Sequence, residues 1–410
     1  MGEINTIKIL YLSHLYPYPP NDGGRILTYH TIKSDVDNGI EVFLLAFNES
    51  AIHSPLDQIA KVHVVTKNTR SKTSGMFWNL FSSLPYTLSK FIDERVIKVC
   101  KDILQTHSID LIVIDSLHMA FYIDFLKKGW PDLPIILRQH NVESTIMFRF
   151  FQNQTNPIVR LYGKYQYHKL FDFERKSIEK VDRCFAISEE DRRRTIRMSP
   201  QVAEKTITIP AGVDSDKYHP LDQAEDTNSI IFSGNMGWLP NEDGVIWFYR
   251  NIYERLKRDI PLIRFYIVGK DPSRRILRLN DNKNVFVTGF VEDERGFIAR
   301  SMIFVDPIRI GGGIRLKILN AMAMAKPVVT TSVGAEGIVC NDGEDIMIAD
   351  DENDFYQKII TLFKDDKKRQ NIGTRGRKTV VENYSWEKIT QKMHEEYLSL
   401  IRRNIRCKES

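Results

Sequence analysis

Residues 302–331 read MIFVDPIRIGGGIRLKILNAMAMAKPVVTT. Met302–Val305 is a short apolar run, the mark of a strand buried on both faces. Asp306-Pro307 ends it, and Gly311-Gly312-Gly313 follow as a turn. Ile314–Ala325 then carries apolar residues at helical spacing, and Val328–Thr331 is a second apolar run. A strand, a glycine turn, a helix and another strand make one βαβ unit, which requires a parallel sheet with helices on its faces.

The same grammar extends outward in both directions. Ile230–Phe232, Arg264–Val268 and Val285–Thr288 are further strand candidates, with helices expected over Glu242–Lys257 and Glu292–Arg300. The first half repeats the pattern with Ile7–Leu12, Glu41–Phe47, Ile109–Asp115, Pro134–Leu137, Arg183–Ile187 and Thr206–Ile209. A helix is expected from Arg25 to about Val36, and a long one from Ser144 to Lys180. Asp354 to Arg403 reads as mostly helical, broken near Gly373 and Tyr384. Asp214–Asn228 is polar and rich in Asp, as a linker should be. The expected fold class is therefore α/β, with two Rossmann-like domains facing across a cleft. The expected limits are 1–212 for the first domain, 213–228 for the linker and 229–385 for the second domain. A C-terminal helix over 386–410 would cross back to the first domain. In such sheets ligands bind beyond the carboxyl ends of the strands.

The chain has 410 residues, 42% hydrophobic and 27% charged, which fits a folded globular protein and excludes general disorder. No run approaches the ~20 apolar residues of a membrane-spanning helix, and MGEINTIKIL lacks the pattern of a secretory leader. Cys100, Cys184, Cys340 and Cys407 are too scattered for a disulfide frame or a zinc site, so reduced thiols and a cytoplasmic location are expected. A formal charge of +5 is mild, and no nucleic-acid motif accompanies it. Between Asn141 and Pro200 there are 12 Lys and Arg against 8 Asp and Glu, with Arg192-Arg193-Arg194 and Arg197 the densest run. That run reads as a solvated helix face, with contact to anionic lipid at the inner face of the membrane as the second reading.

Four clusters carry potential chemistry. In the glycine turn, free N–H groups, the helix dipole, Arg315 and Lys317 could converge on one anion, a diphosphate that needs no metal. Lys317 and Asn320 share a helix face. Both cations are expected on the solvated side of the helix. In the first half, Asn21-Asp22-Gly23-Gly24 precedes a helix and is either an anion loop or a plain helix cap. Arg138-Gln139-His140-Asn141 gathers polar groups at a strand's carboxyl end, where His140 could bond a sugar hydroxyl or a phosphate oxygen. Glu143 is either a helix cap or a site carboxylate. Gly234-Asn235-Met236-Gly237 forms a second strand-to-helix turn. Met76–Leu84 is apolar, and reads as core before it reads as an acceptor surface.

Taken together, GGGIRLKILNAMAMAKPVVTTSVGAEGI over 311–338, FSGNMGWLPNEDGVIWF, YIVGK, VTGFVED, ITIPAGVDSDKYHP and HNVE resemble glycosyltransferase family 4, which has the GT-B fold. The resemblance covers about Ile7 to Leu400. It implies a retaining, metal-independent transfer of a sugar from a nucleotide diphosphate donor to a glycan or lipid-linked acceptor, with no other cofactor, as in polysaccharide biosynthesis. Position by position it gives Arg315 and Lys317 to the diphosphate, and Gly313 and Ile314 to the same group through their amides, with Gly312 counted among the substrate-binding residues. It gives His140 to the donor sugar, Gly23 and Gly24 to closure over the phosphates, and the Val291 backbone to the base. Asn235 occupies the turn where relatives place basic residues. Two glutamates eight positions apart in relatives are Gly312 and Asn320 here. That departure keeps open a non-catalytic binding subunit; a nucleotide-sugar epimerase of the same fold is the second alternative.

Overall fold

The computed structural model describes residues 6–20, 22–50, 54–69, 79, 82, 84–154, 156–311 and 313–409. They form two compact units, one of Met1–Pro210 with Ile389–Ser410, the other of Ala211–Lys388.

The first unit holds β1 (Lys8–Ser13), β2 (Glu41–Asn48), β3 (Lys61–Thr66), β4 (Leu111–Asp115), β5 (Ile135–Arg138), β6 (Arg183–Ala186) and β7 (Thr206–Thr208). Its sheet has the order β3-β2-β1-β4-β5-β6-β7, and every pair is parallel. The second unit holds β8 (Ser229–Ser233), β9 (Arg264–Val268), β10 (Val285–Gly289), β11 (Ile303–Asp306), β12 (Val328–Thr330) and β13 (Met347–Ile348). Its order is β10-β9-β8-β11-β12-β13, again parallel throughout. The fold class is the expected one, α/β with two Rossmann-like sheets. The apolar runs are central strands, and Leu111–Asp115 and Ile303–Asp306 are buried along their whole length. In each sheet the strand order reverses at its middle, between β1 and β4 and between β8 and β11, where doubly wound sheets open a crevice.

Several expectations need correction. The sequence reading omits β3 and β13. β3 is an outer strand whose exposure alternates, so KVHVVT is not a continuous apolar run. The helix expected over 144–180 is two helices, Glu143–Gln152 and Pro157–Lys180. Asn156 caps the second through the N–H groups of Ile158 and Val159, and Pro157 occupies its first turn, where a missing N–H costs nothing. Gly163 does not break that helix. A Cβ there would lie 2.8 Å from Cβ of Phe151, so the glycine lets the two helices approach. Gly373 does not break the C-terminal region either. It lies within the helix Asp366–Tyr384, where a Cβ would meet the Ala325 carbonyl. The breaks fall at Asp365, which caps that helix through the Lys368 N–H, and at Ser385, next to the expected Tyr384. The last helix, Trp386–Glu409, contributes to the first unit through a buried network. Tyr11 Oη donates to Asp35 and lies 2.9 Å from Tyr397 Oη, and His394 Nε2 lies 2.8 Å from Asp35 Oδ1.

Candidate active site

In the first unit the carboxyl edge of β1, β4 and β5 gathers His14, Asp115, His118, Arg138 and His140. Asp115 ends β4 with no exposed surface. Its Oδ1 lies 2.8 Å from His140 Nε2 and accepts from Arg138 Nε at 2.7 Å, while Oδ2 accepts from Thr28 Oγ1 at 2.6 Å. Burial alone would raise this carboxyl. The Arg138 guanidinium and the bonds from His140 and Thr28 outweigh it and hold the group well below the usual carboxylate range. His14 stacks on His118 at 4.5 Å between ring centroids and meets the His140 ring at 5.9 Å. Burial pulls His14 down to about 3, so it is neutral at pH 7. Ser116 sits at φ 91 between strand and turn, and its Oγ lies 2.7 Å from His118 Nδ1.

Gly23 and Gly24 are the first turn of the helix Gly23–Asp37, which matches the helix-cap reading of this motif. Asp22 caps it, accepting from the Arg25 N–H at 3.0 Å. A Cβ on Gly24 would lie 3.5 Å from His140 Nδ1, so the helix start and the imidazole do meet. Beside them, Glu174 accepts from the N–H groups of Glu143 and Ser144, both at 3.0 Å. Burial and the Glu174 carboxylate push Glu143 up to about 8.

The second unit repeats the arrangement with other residues. Asp306 ends β11, fully buried, and Lys317 Nζ lies 2.7 Å from its Oδ1. Lys317 also donates to Asn241 Oδ1 at 2.8 Å and lies over the Phe232 ring at 4.0 Å. Asn241 Nδ2 in turn donates to the Asn235 carbonyl at 2.7 Å. Gly234 and Gly269, at the ends of β8 and β9, touch so closely that a Cβ on Gly269 would lie 1.8 Å from the Gly234 oxygen. That contact fixes the turn from which Asn235 reaches back.

The helix after the glycine turn runs Leu316–Ala323, shorter than the expected 314–325. Gly313 has φ 77, and Arg315 is an extended N-cap, so the chain is still turning at both. The expectation that Arg315 and Lys317 face solvent is wrong. Arg315 is 6% exposed and lies 5.5 Å over the Trp238 ring. Lys317 is enclosed by Phe232, Asn241 and Asp306. Burial lowers its ammonium, and Asp306 opposes that.

Gly313, Ile314, Arg315, Lys317 and Asn235 thus come together at one sheet edge. Val291 and Ile314 pack on the same apolar cluster, built around Ile318, Leu319 and Met322. Asn320 is half-buried one turn along the helix. Gly312 lies outside the described residues, as does most of Met76–Leu84. Of that segment Asn79 is described, buried and bonded to Gln166 Nε2 at 3.0 Å. The Arg192 run is drawn onto its own helix. Arg192, Arg193 and Arg194 lie within 4.0 Å of Glu189, Glu190 or Asp191.

Sequence reasoning assigned nothing to Asp115, Asp306, His14 or Asn241. A signal for the aspartates did exist: IDLIVID and MIFVD each end an apolar strand with a carboxylate.

Residues 227–365 match the family model described as Glycosyl transferases group 1. An uncharacterized 44.6 kDa protein in the cps region of Klebsiella pneumoniae is 24% identical over 404 residues, 95% of this chain and 99% of that one. The capsular polysaccharide biosynthesis glycosyltransferase CapM of Staphylococcus aureus is 33% identical over 130 residues, 31% of this chain and 33% of CapM. Among solved structures, sucrose-phosphate synthase from Thermosynechococcus elongatus superposes with TM-score 0.72 at 17% identity, over 96% of this chain and 99% of that one. Anabaena HepE in complex with UDP and glucose gives TM-score 0.67 at 16% identity, over 96% and 100%. At such identities the structural likeness speaks to the fold.

Proposed function

We propose that this chain is a group 1 glycosyltransferase and that it moves a sugar, with retention and without a metal, from a nucleoside diphosphate sugar to a glycan or lipid-linked acceptor. The observation that carries the reading is the edge of the second unit, where Gly313 and the buried Arg315 lead into Lys317, which pairs with Asp306. HepE was solved with UDP, which supports a nucleoside diphosphate as the group bound here.

In the transfer, the bond between the anomeric carbon and the diphosphate oxygen breaks. The acceptor hydroxyl oxygen bonds that carbon and passes its proton to the departing diphosphate oxygen. Negative charge grows on the departing diphosphate. Fixed cations and amides aimed at that charge stabilise the transition state without reorganising, which is the largest catalytic term such a site can supply. Arg315, Lys317 and the amides of Gly313 and Ile314 are assigned that role. Asn320 takes the ribose, and the Val291 backbone takes the base. His140 is assigned to the transferred sugar, with Asp115 holding its Nε2 and leaving Nδ1 beside Gly24. Gly23 and Gly24 are assigned to substrate binding.

The test is a thermal-shift screen of nucleoside diphosphates and their sugar conjugates, each with and without EDTA, followed by product analysis with the best donor. A ligand that binds the folded state raises the melting temperature. We expect a shift unaffected by EDTA and a new glycoside whose anomeric configuration matches the donor. A strict need for a divalent ion would overturn the metal-independent part. Binding without any glycoside would favour the binding-subunit reading that Asn320 keeps open, and an epimerised donor would favour an epimerase.

A further inference from the structure

Large apolar side chains on the surface are unevenly spread. Among the described residues, seven of the fifteen exposed large hydrophobics lie in the helical pair Glu143–Gln152 and Pro157–Lys180. Phe148 and Phe150 stand out from the first helix. In the second, Ile158 is 78% exposed and Leu161 is 71% exposed, beyond what isolated surface residues usually show. Charge follows the same boundary. From Ser144 to Phe171 the sequence contains no Asp or Glu, but it contains Arg149, Arg160, Lys164 and Lys169. An apolar surface set among cations alone matches an anionic interface with an apolar layer beneath.

The placement of the pair fits this. Gln139, one residue past β5, bonds Glu174 at 3.3 Å, so Glu174 lies level with the carboxyl edge of the sheet. Pro157–Lys180 is one helix of 24 residues. Its stretch before Glu174 is therefore ~25 Å long at 1.5 Å per residue. β5 and β6 have four residues each, and span only ~13 Å. The helix ends by leading into β6 at the opposite edge, so its first half reaches beyond the edge that carries His140.

We propose that the tip of this helical pair docks on an anionic lipid bilayer, with Phe150, Ile158 and Leu161 entering the headgroup boundary and Arg160 and Lys164 meeting the phosphates. No described helix is long and apolar enough to cross a membrane, so the contact is interfacial. The Arg192 run is not the contact, because acidic neighbours on its own helix already compensate it. This inference stands independently of the reaction proposed above, since it concerns binding alone.

The test is co-sedimentation of the full chain with vesicles of phosphatidylcholine alone and of phosphatidylcholine with phosphatidylglycerol, at low and high salt. Binding is expected only with phosphatidylglycerol, weakening as salt screens the charges. The double variants Ile158→Ser/Leu161→Ser and Arg160→Glu/Lys164→Glu should each lower binding by roughly tenfold or more, since apolar burial and each cation contribute separately. All four side chains are exposed, so melting temperatures should stay near wild type. Arg193→Glu, on the other helix, should bind as wild type. Absence of binding to phosphatidylglycerol vesicles at low salt overturns the proposal, as does equal binding by wild type and both double variants. A wild-type dimer that Ile158→Ser/Leu161→Ser dissolves, without vesicle binding by either, would assign the surface to a second copy of the chain and overturn it too.

Discussion

Asp115 and Asp306 occupy the same place in two different sheets. Each ends the strand beside the sheet's first strand, where the order reverses, and each is fully buried. What surrounds them differs. Asp115 is shared by an arginine, a histidine and a threonine drawn from β5, the turn after it and the helix after β1. Its charge is consumed in fixing an imidazole. Asp306 meets Lys317, with Arg315 two residues earlier on the same turn and glycine amides before that. There the cations outnumber the buried carboxylate. The same strand end thus serves one unit as an orienting group and the other as the counter-charge of a buried cationic cluster. On the proposed function, a phosphate belongs with the second, and a neutral, hydrogen-bonding substrate group with the first.

The sharpest way to break this contrast is to remove the cationic cluster. Lys317→Met should lower turnover by roughly 10²–10³-fold, the usual loss for one fixed charge donor at a developing anion. It should also destabilise the fold, because Asp306 is left buried without its partner, at a cost of about 3–5 kcal/mol. Lys317→Arg tests whether charge alone suffices, and Arg315→Ala should lower turnover without stranding Asp306. Steady-state kinetics with a melting curve for each variant separates the two effects. Near-normal turnover in both Lys317→Met and Arg315→Ala would place the diphosphate elsewhere.

Asp115→Asn should produce a smaller loss, roughly 10–100-fold in kcat, since the imidazole loses its fixed orientation while the nucleotide contacts remain. KM for the donor should change little. A change in KM alone would mean that the first unit only binds.

A third variant addresses stability. Glu143 has its proton affinity raised by burial and by Glu174, up to about 8. The native state therefore holds this proton more tightly than the unfolded chain, whose carboxyl keeps the ordinary value. Stability from this group is full below about pH 4.5 and is lost as pH rises toward 8. Glu143→Gln should flatten that decline and raise the melting temperature at pH 8 relative to wild type. His14 works in the opposite direction. Its lowered value means stability is lost as pH falls from 6.5 toward 3. A melting-temperature profile from pH 4 to 9 checks both slopes; an unchanged slope in Glu143→Gln would show that another group sets the alkaline limb.

Asn320 carries the smallest expected effect. An amide bonds a ribose hydroxyl without a carboxylate's charge. Asn320→Ala should weaken donor affinity by about 0.5–1.5 kcal/mol, and Asn320→Glu should retain or tighten it. Titration calorimetry reads both. If wild type neither binds nor transfers while Asn320→Glu does both, the natural chain is a binding-incompetent relative.

The pattern of legibility in the sequence has physical causes. Central parallel strands are buried on both faces, so LIVI and IFV announce themselves without any partner being known. β3 hides because an outer strand alternates, and the break at Asn156 hides because proline at a helix start looks the same as proline in a coil. The glycine turn was visible because three glycines in a row have few other uses. The environment of Lys317 was not visible. Phe232, Asn241 and Asp306 stand 85, 76 and 11 residues away in the chain, and only the sheet brings them together. Asp115 was hidden for the same reason, since Thr28 lies 87 residues before it.

The most direct measurement is titration calorimetry of one nucleoside diphosphate, in EDTA, into three proteins: wild type, Lys317→Met and Asp115→Asn. The account predicts that wild type and Asp115→Asn bind with similar affinity and that Lys317→Met, folded by its melting curve, binds at least tenfold more weakly. Loss of binding in Asp115→Asn with full binding in Lys317→Met would reverse the roles of the two units and contradict the account.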